Sequence, residues 1–161
     1  MDEIIKQHLA HRGFTLIEIL IVLILIALIA GISTVYFVNT LPKARQSAAA
    51  REIVSTIKYA RHLAALKNER QVVTFDLDAG SYGLRGRAGR KIPDETYLVI
   101  YESGINADPI HKGQYSLYYD STGANNWDRI SLIRGKRTVR IDADPLLAAV
   151  IAADEQDDRH D

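Results

Sequence analysis

The chain contains no cysteine. A domain on the oxidising side of a membrane must therefore fold without a disulfide, and thiolate metal sites are excluded. It also lacks an excess of either charge. Twenty basic and twenty acidic residues give a formal net charge of zero. Only Lys6, Arg12, Asp2, Glu3 and Glu18 precede Lys43, so the remainder is nearly balanced too, which argues against nucleic acid held by bulk electrostatics. No nucleophile elbow, phosphate loop, zinc-ligand spacing or catalytic dyad can be read in it, so the expectation is a protein that is not an enzyme and takes no cofactor or small-molecule substrate. Aromatics are sparse, with one tryptophan, Trp127. This residue and Tyr115, Tyr118 and Tyr119 are expected in the core or at its rim.

One long run of apolar residues stands out. After Glu18 no charge occurs until Lys43, and from Ile19 the residues are almost all Ile, Leu, Val and Ala. A helix of that composition is apolar on every face, which suits lipid or the centre of a helical assembly. At about 1.5 Å per residue it reaches roughly 36 Å, enough to cross a bilayer core of about 30 Å once. A secretory signal peptide fits poorly. Cleavage near Ala30 would put Leu28 where a small residue is needed, and the run exceeds the usual apolar core of such a signal. Basic residues flank both ends, Lys6 and Arg12 before and Lys43, Arg45 and Arg51 after, so charge placement sets no orientation. Glu18 is the anomaly: an unpaired carboxylate in lipid costs a few kcal/mol. It needs either the membrane interface or a partner.

Gly13-Phe14-Thr15-Leu16-Ile17-Glu18, behind a short polar leader ending in Arg12, closely resembles the cleavage signal of type IV prepilins and type II secretion pseudopilins. The resemblance implies cleavage between Gly13 and Phe14 by prepilin peptidase, methylation of the new Phe14 amine, and retention of the apolar helix. Glu18 then occupies the family's assembly position, five residues into the mature chain. Its carboxylate could neutralise the Phe14 ammonium of a neighbouring subunit, since burying both charges is tolerable only as a pair. The implied topology is a single pass through the inner membrane, with residues 1–13 as cytoplasmic leader, 14–42 as transmembrane and filament-core helix, and 43–161 as one periplasmic domain.

Beyond the apolar run the pattern becomes amphipathic. Ala49, Ile53, Ile57, Ala60 and Ala64 recur at three- and four-residue spacing, widened by Val54 and Leu63, and Asn68 offers a stop. Gly31 and Pro42 are the places where a kink or local melting is expected. From residue 71 the period becomes two. Strands are predicted over 71–77, 81–84, 96–102, 114–119, 129–134 and 138–142, with a Gly135-Lys136 hairpin and a turn at Asp78-Ala79-Gly80. The expected class is α+β, pilin-like: one long N-terminal helix on an antiparallel sheet domain.

Asp120-Ser121-Thr122-Gly123, the Gly-Lys turn and Ile141-Asp142-Ala143-Asp144-Pro145 are similar to the C-terminal part of H-type minor pseudopilins of type II secretion and of the related FimT-like minor pilins. Where those usually have a glycine after the proline turn, this chain has Leu146-Leu147-Ala148-Ala149-Val150-Ile151, and the pattern leaves that segment open. The resemblance implies a structural subunit of a periplasmic pseudopilus, with prepilin peptidase, other pseudopilins, the inner-membrane secretion platform and membrane lipid as partners. One alternative is a FimT-like minor pilin with a part in DNA uptake. Another is a membrane-tethered binding domain that never polymerises.

Three weaker patterns complete the reading. Asp120, Asn125, Asn126 and Asp128 could supply oxygens to calcium, although the spacing is not that of an EF-hand and an Asx-rich turn accounts for them. His8 and His11 lack a third ligand and read as solvated. Two basic clusters, Arg85, Arg87, Arg90, Lys91 and Arg134, Lys136, Arg137, Arg140, could meet DNA phosphates. A solvated hairpin face is the simpler account, and the tail Asp154, Glu155, Asp157, Asp158, Asp161 is acidic.

Overall fold

The structure is a computed structural model. It describes residues 14–104, 108–152 and 155–156; the side chains of 32–39 and 155–156 lie outside the description. The leader with Gly13, His8 and His11, and the tail residues Asp154 and 157–161, therefore lie outside the described residues. The chain divides into two compact units, Met1–Leu41 and Pro42–Asp161.

Helix α1 is assigned over Leu16–Lys67. In the first unit it is apolar all round, and every described side chain from Phe14 to Gly31 is exposed. Among the described residues nothing in its own unit covers it. The helical backbone runs through both Gly31 and Pro42, so neither residue ends the helix as a break would.

In the second unit the helix is two-sided. Ala49, Ala50, Ile53, Val54, Ile57, Ala60 and Ala64 are buried while Arg51, Glu52, Lys58 and Lys67 face outward, the spacing expected of a stripe on a 3.6-residue period. The end is set by Asn68, which takes a left-handed φ of 52°. That conformation lets the Glu69 N–H reach back to the Ala64 carbonyl at 3.3 Å, the bond of a Schellman stop.

Two antiparallel sheets pack on this part of the helix. In the first, β1 (Gln71–Asp76) is central, between β2 (Ser81–Leu84) and β5 (Gln114–Tyr119), and β3 (Arg90–Lys91) extends β2. In the second, the order is β4 (Tyr97–Glu102), β6 (Trp127–Arg134), β7 (Arg137–Asp144), β8 (Ala148–Ile151), with β9 (Glu155–Gln156) also on β7. Alternate residues of β1, β5, β6 and β7 turn inward: Val73 and Phe75, Tyr115, Leu117 and Tyr119, Ile130 and Leu132, Val139 and Ile141. They close one core with the helix stripe, in which Trp127 is the largest fully buried side chain.

The turns follow their residues. Gly135 has φ 56° and Lys136 does not share a positive φ, the pattern of a II′ turn, and Arg134 pairs with Arg137 across it. At Gly80 (φ 59°) the chain reverses between β1 and β2, and the Asp76 carboxylate accepts the Ala79 N–H at 2.8 Å.

The fold is α+β and pilin-like, as expected. The six predicted strands form, with shifted ends: β1 stops at Asp76, β4 begins at Tyr97, and β6 and β7 are longer at 127–134 and 137–144. Three strands had no period to announce them. β3 and β9 are two residues each and exist because a neighbour offers an edge. The open segment after Pro145 becomes β8, an apolar run too short for its period to distinguish strand from helix. Its direction is set by Asp144, whose carboxylate accepts the N–H groups of Leu146 and Leu147 at 2.8 and 2.6 Å.

Candidate functional site

The N-terminal segment begins with two non-helical residues, Phe14 and Thr15. Phe14 is 79% exposed. Thr15 is the N-cap of α1: its hydroxyl accepts the Glu18 N–H at 3.3 Å, and its carbonyl accepts the same N–H at 3.1 Å and that of Ile19 at 3.3 Å. Thr15 and Glu18 are spaced as in a capping box, and a carboxylate in the first turn is favoured by the positive end of the helix macrodipole. Reading Glu18 as an interfacial or an assembly residue missed this local role. The signal was present as a threonine three residues before a glutamate, ahead of an apolar run. Glu18 is exposed, which leaves its carboxylate accessible to a neighbouring molecule.

The Asx-rich loop after β5 spends its oxygens on its own chain. The Asp120 carboxylate accepts the Thr122 hydroxyl at 2.7 Å and the N–H groups of Thr122 and Ala124, and these bonds, the hydroxyl's foremost, hold its pKa below the usual value. Asn125 accepts the Trp127 N–H. Asn126 spans the outer edge of β5, accepting from Tyr118 N–H and donating to the Ser116 carbonyl, both at 3.0 Å. Asp128 accepts the Ser103 hydroxyl at 2.8 Å. Among the described residues no group of three or more His, Asp or Glu side chains is placed to hold a metal.

The basic clusters are broken up in the same way. Arg90 pairs with Glu52, and Arg87 lies over the Tyr59 ring at 4.6 Å with a 2.7 Å bond to its hydroxyl. Arg134 pairs with Glu95 at 2.6 Å, and Arg137 donates to the Lys43 carbonyl and the Ser47 hydroxyl. Arg85, Lys91 and Lys136 are exposed. Trp127, Tyr115 and Tyr119 are buried, whereas Tyr118 is half-buried under the Arg70 guanidinium at 4.3 Å. Burial pushes the Tyr82 hydroxyl up to about 12, with help from the Glu52 carboxylate to which it donates.

Compared with known families, residues 9–34 match one, described as the prokaryotic N-terminal methylation motif. The match supports a type IV pilin-like protein. The motif implies processing by prepilin peptidase, assembly with other pilins and anchoring through the N-terminal segment. The motif spans the predicted cleavage point, Thr15 and Glu18. No curated protein and no solved structure matches the chain. Among the described residues no helix is long and apolar enough to cross a membrane; described side chains end at Gly31 and resume at Thr40.

Sequence reasoning also missed Gln46. It is fully buried on the pilin-like domain's helix and donates to the carbonyls of Leu132 at 2.9 Å and Arg137 at 3.3 Å, tying the helix to β6 and β7. Arg61 does similar work at the other end, donating to the carbonyls of Pro145 and Leu146 at 2.6 and 2.8 Å. Both look like ordinary surface residues on a helical wheel, because their partners are far away in sequence.

Proposed function

We propose that the chain is a minor pseudopilin of a type II secretion system, near the H type: a structural, non-catalytic subunit cut after Gly13 and methylated on Phe14. In this reading the uncharged run of residues 19–42 crosses the inner membrane once, with the leader in the cytoplasm and the domain in the periplasm. The subunit is then drawn into a short periplasmic filament. The observation that carries the reading is the methylation motif over residues 9–34, a span that contains Gly13, Phe14 and Glu18. The Asp120–Gly123 turn and the β6–β7 hairpin support the H-type assignment. Glu18 serves assembly by offering its exposed carboxylate to the Phe14 ammonium of a neighbouring subunit, a charge pair that the apolar filament core would tolerate only intact. The engagement of Arg87, Arg90, Arg134 and Arg137 with their own chain supports protein rather than nucleic-acid partners.

The experiment is intact mass and N-terminal sequencing of the protein from membranes, with and without prepilin peptidase, on the parent and on Glu18→Val. The expected result is a chain starting at methylated Phe14 only when the peptidase is present. The variant should be cut equally well but fail to enter filaments and to support secretion. An uncut chain in both cases would make the segment a plain anchor, and normal secretion from Glu18→Val would remove the assembly role.

A further inference from the structure

Most arginines of the second unit are spoken for, and two of the exceptions, Arg45 and Arg51 but not Arg85, line one groove. A shallow groove runs beside the first helical turns after Pro42, formed by two adjoining hollows of about 490 and 550 Å³ that share Arg45, Lys91 and Pro93. Arg45 and Arg51 project from the helix on one side, and Lys91 from β3 on the other. All three are exposed, and none makes an ion pair or side-chain hydrogen bond among the described residues. The carboxylates lining the groove are largely used: Glu52 holds Arg90 and Glu95 holds Arg134, which leaves Asp94. The remainder of the wall is apolar, with Pro42, Ala48, Ala49 and Ile92. Three unpaired cations on an apolar wall suit a ligand that carries a phosphate and a greasy neighbour.

We propose that this groove docks the headgroup of an anionic phospholipid. Charge complementarity points to phosphate. Chain continuity points to lipid as its source: Arg45 follows Pro42 within one helical turn, and Pro42 ends the uncharged run that anchors a pilin-like protein. Basic side chains immediately beyond a membrane segment are drawn to anionic headgroups, and three of them act together. Lys91 comes from a strand far along the chain, so the folded domain completes what the helix begins. Docking would hold the domain against the membrane before assembly and release it on extraction. The inference rests on the membrane-anchored reading, but not on cleavage or filament entry.

The test uses the full chain in uncharged maltoside micelles, titrated with dihexanoyl phosphatidylglycerol, dihexanoyl phosphatidylcholine or inorganic phosphate, and read by amide hydrogen exchange at 45–52 and 91–95. Phosphatidylglycerol should protect both segments, phosphatidylcholine neither. Arg45→Gln with Arg51→Gln and Lys91→Gln should weaken that protection at least tenfold. An equal-charge control, Arg85→Gln with Lys112→Gln and Lys136→Gln, should leave it unchanged. Equal protection by both lipids, equal loss in the control, or protection by inorganic phosphate at the same concentration would each overturn the proposal. Unaltered peptidase cleavage in any of these cases would leave the prepilin reading standing.

Discussion

The two parts of α1 have one backbone conformation and opposite surfaces. Before residue 42 the described helix is apolar on every side and buries none of it, whereas after residue 42 it buries a stripe from Ala49 to Ala64 and keeps its charges in water. Helix formation is common to both, so the difference lies in where the apolar surface goes. A one-sided stripe can be covered by the chain's own strands. An all-round apolar surface needs lipid or other subunits.

The sharpest way to break this comparison is to shorten one apolar residue in each part. Ile57→Ala should destabilise the second unit by about 2–5 kcal/mol, because it leaves a cavity in a closed core. Leu23→Ala, on an exposed face, should change the same unfolding transition by less than about 0.5 kcal/mol. Chemical denaturation of the full chain in micelles, followed by Trp127 fluorescence, measures both. Similar losses would mean that the first part also packs within its own chain.

Polar contacts sharpen the contrast at smaller scale. Gln46→Ala removes the donor to the Leu132 and Arg137 carbonyls, and an expected loss of about 1–3 kcal/mol should appear in the same transition. Thr15→Ala should cost about 1 kcal/mol, confined to the first turns of the helix and read as faster amide exchange near Glu18 and Ile19, with the second unit unchanged. A global effect would show that the two parts are energetically coupled.

A further contrast lies in pH dependence, and it belongs to the second unit. Tyr82 titrates near 12 in the fold against 10 when free, so the unfolded chain loses that proton first. The corresponding stability is complete below pH 10 and is lost as pH rises toward 12. Asp76, held low chiefly by the Ala79 N–H, and Asp120, held low chiefly by the Thr122 hydroxyl, work at the other end. Their contribution is present above the free carboxylate value near 3.8 and fades as pH falls below it. Thermal melts across pH 10–12 should fall less steeply for Tyr82→Phe than for the parent, and an identical slope would show that other groups govern the alkaline limb.

Sequence by itself determined the helix, its change of character near Pro42, six strands, the Gly135-Lys136 hairpin and the methylation motif over residues 9–34. These rest on period, turn chemistry and a short contiguous motif, all of which are local. Tertiary structure decided the rest. The strands β3, β8 and β9 form because neighbours supply an edge, Gln46 and Arg61 matter because carbonyls more than eighty residues away reach them, and the basic residues divide into engaged and free only when the sheets bring Glu52, Glu95 and Tyr59 to them. The physical reason is one of range: a backbone preference is written within a few residues, whereas the partner of a charge or a buried amide is chosen by packing.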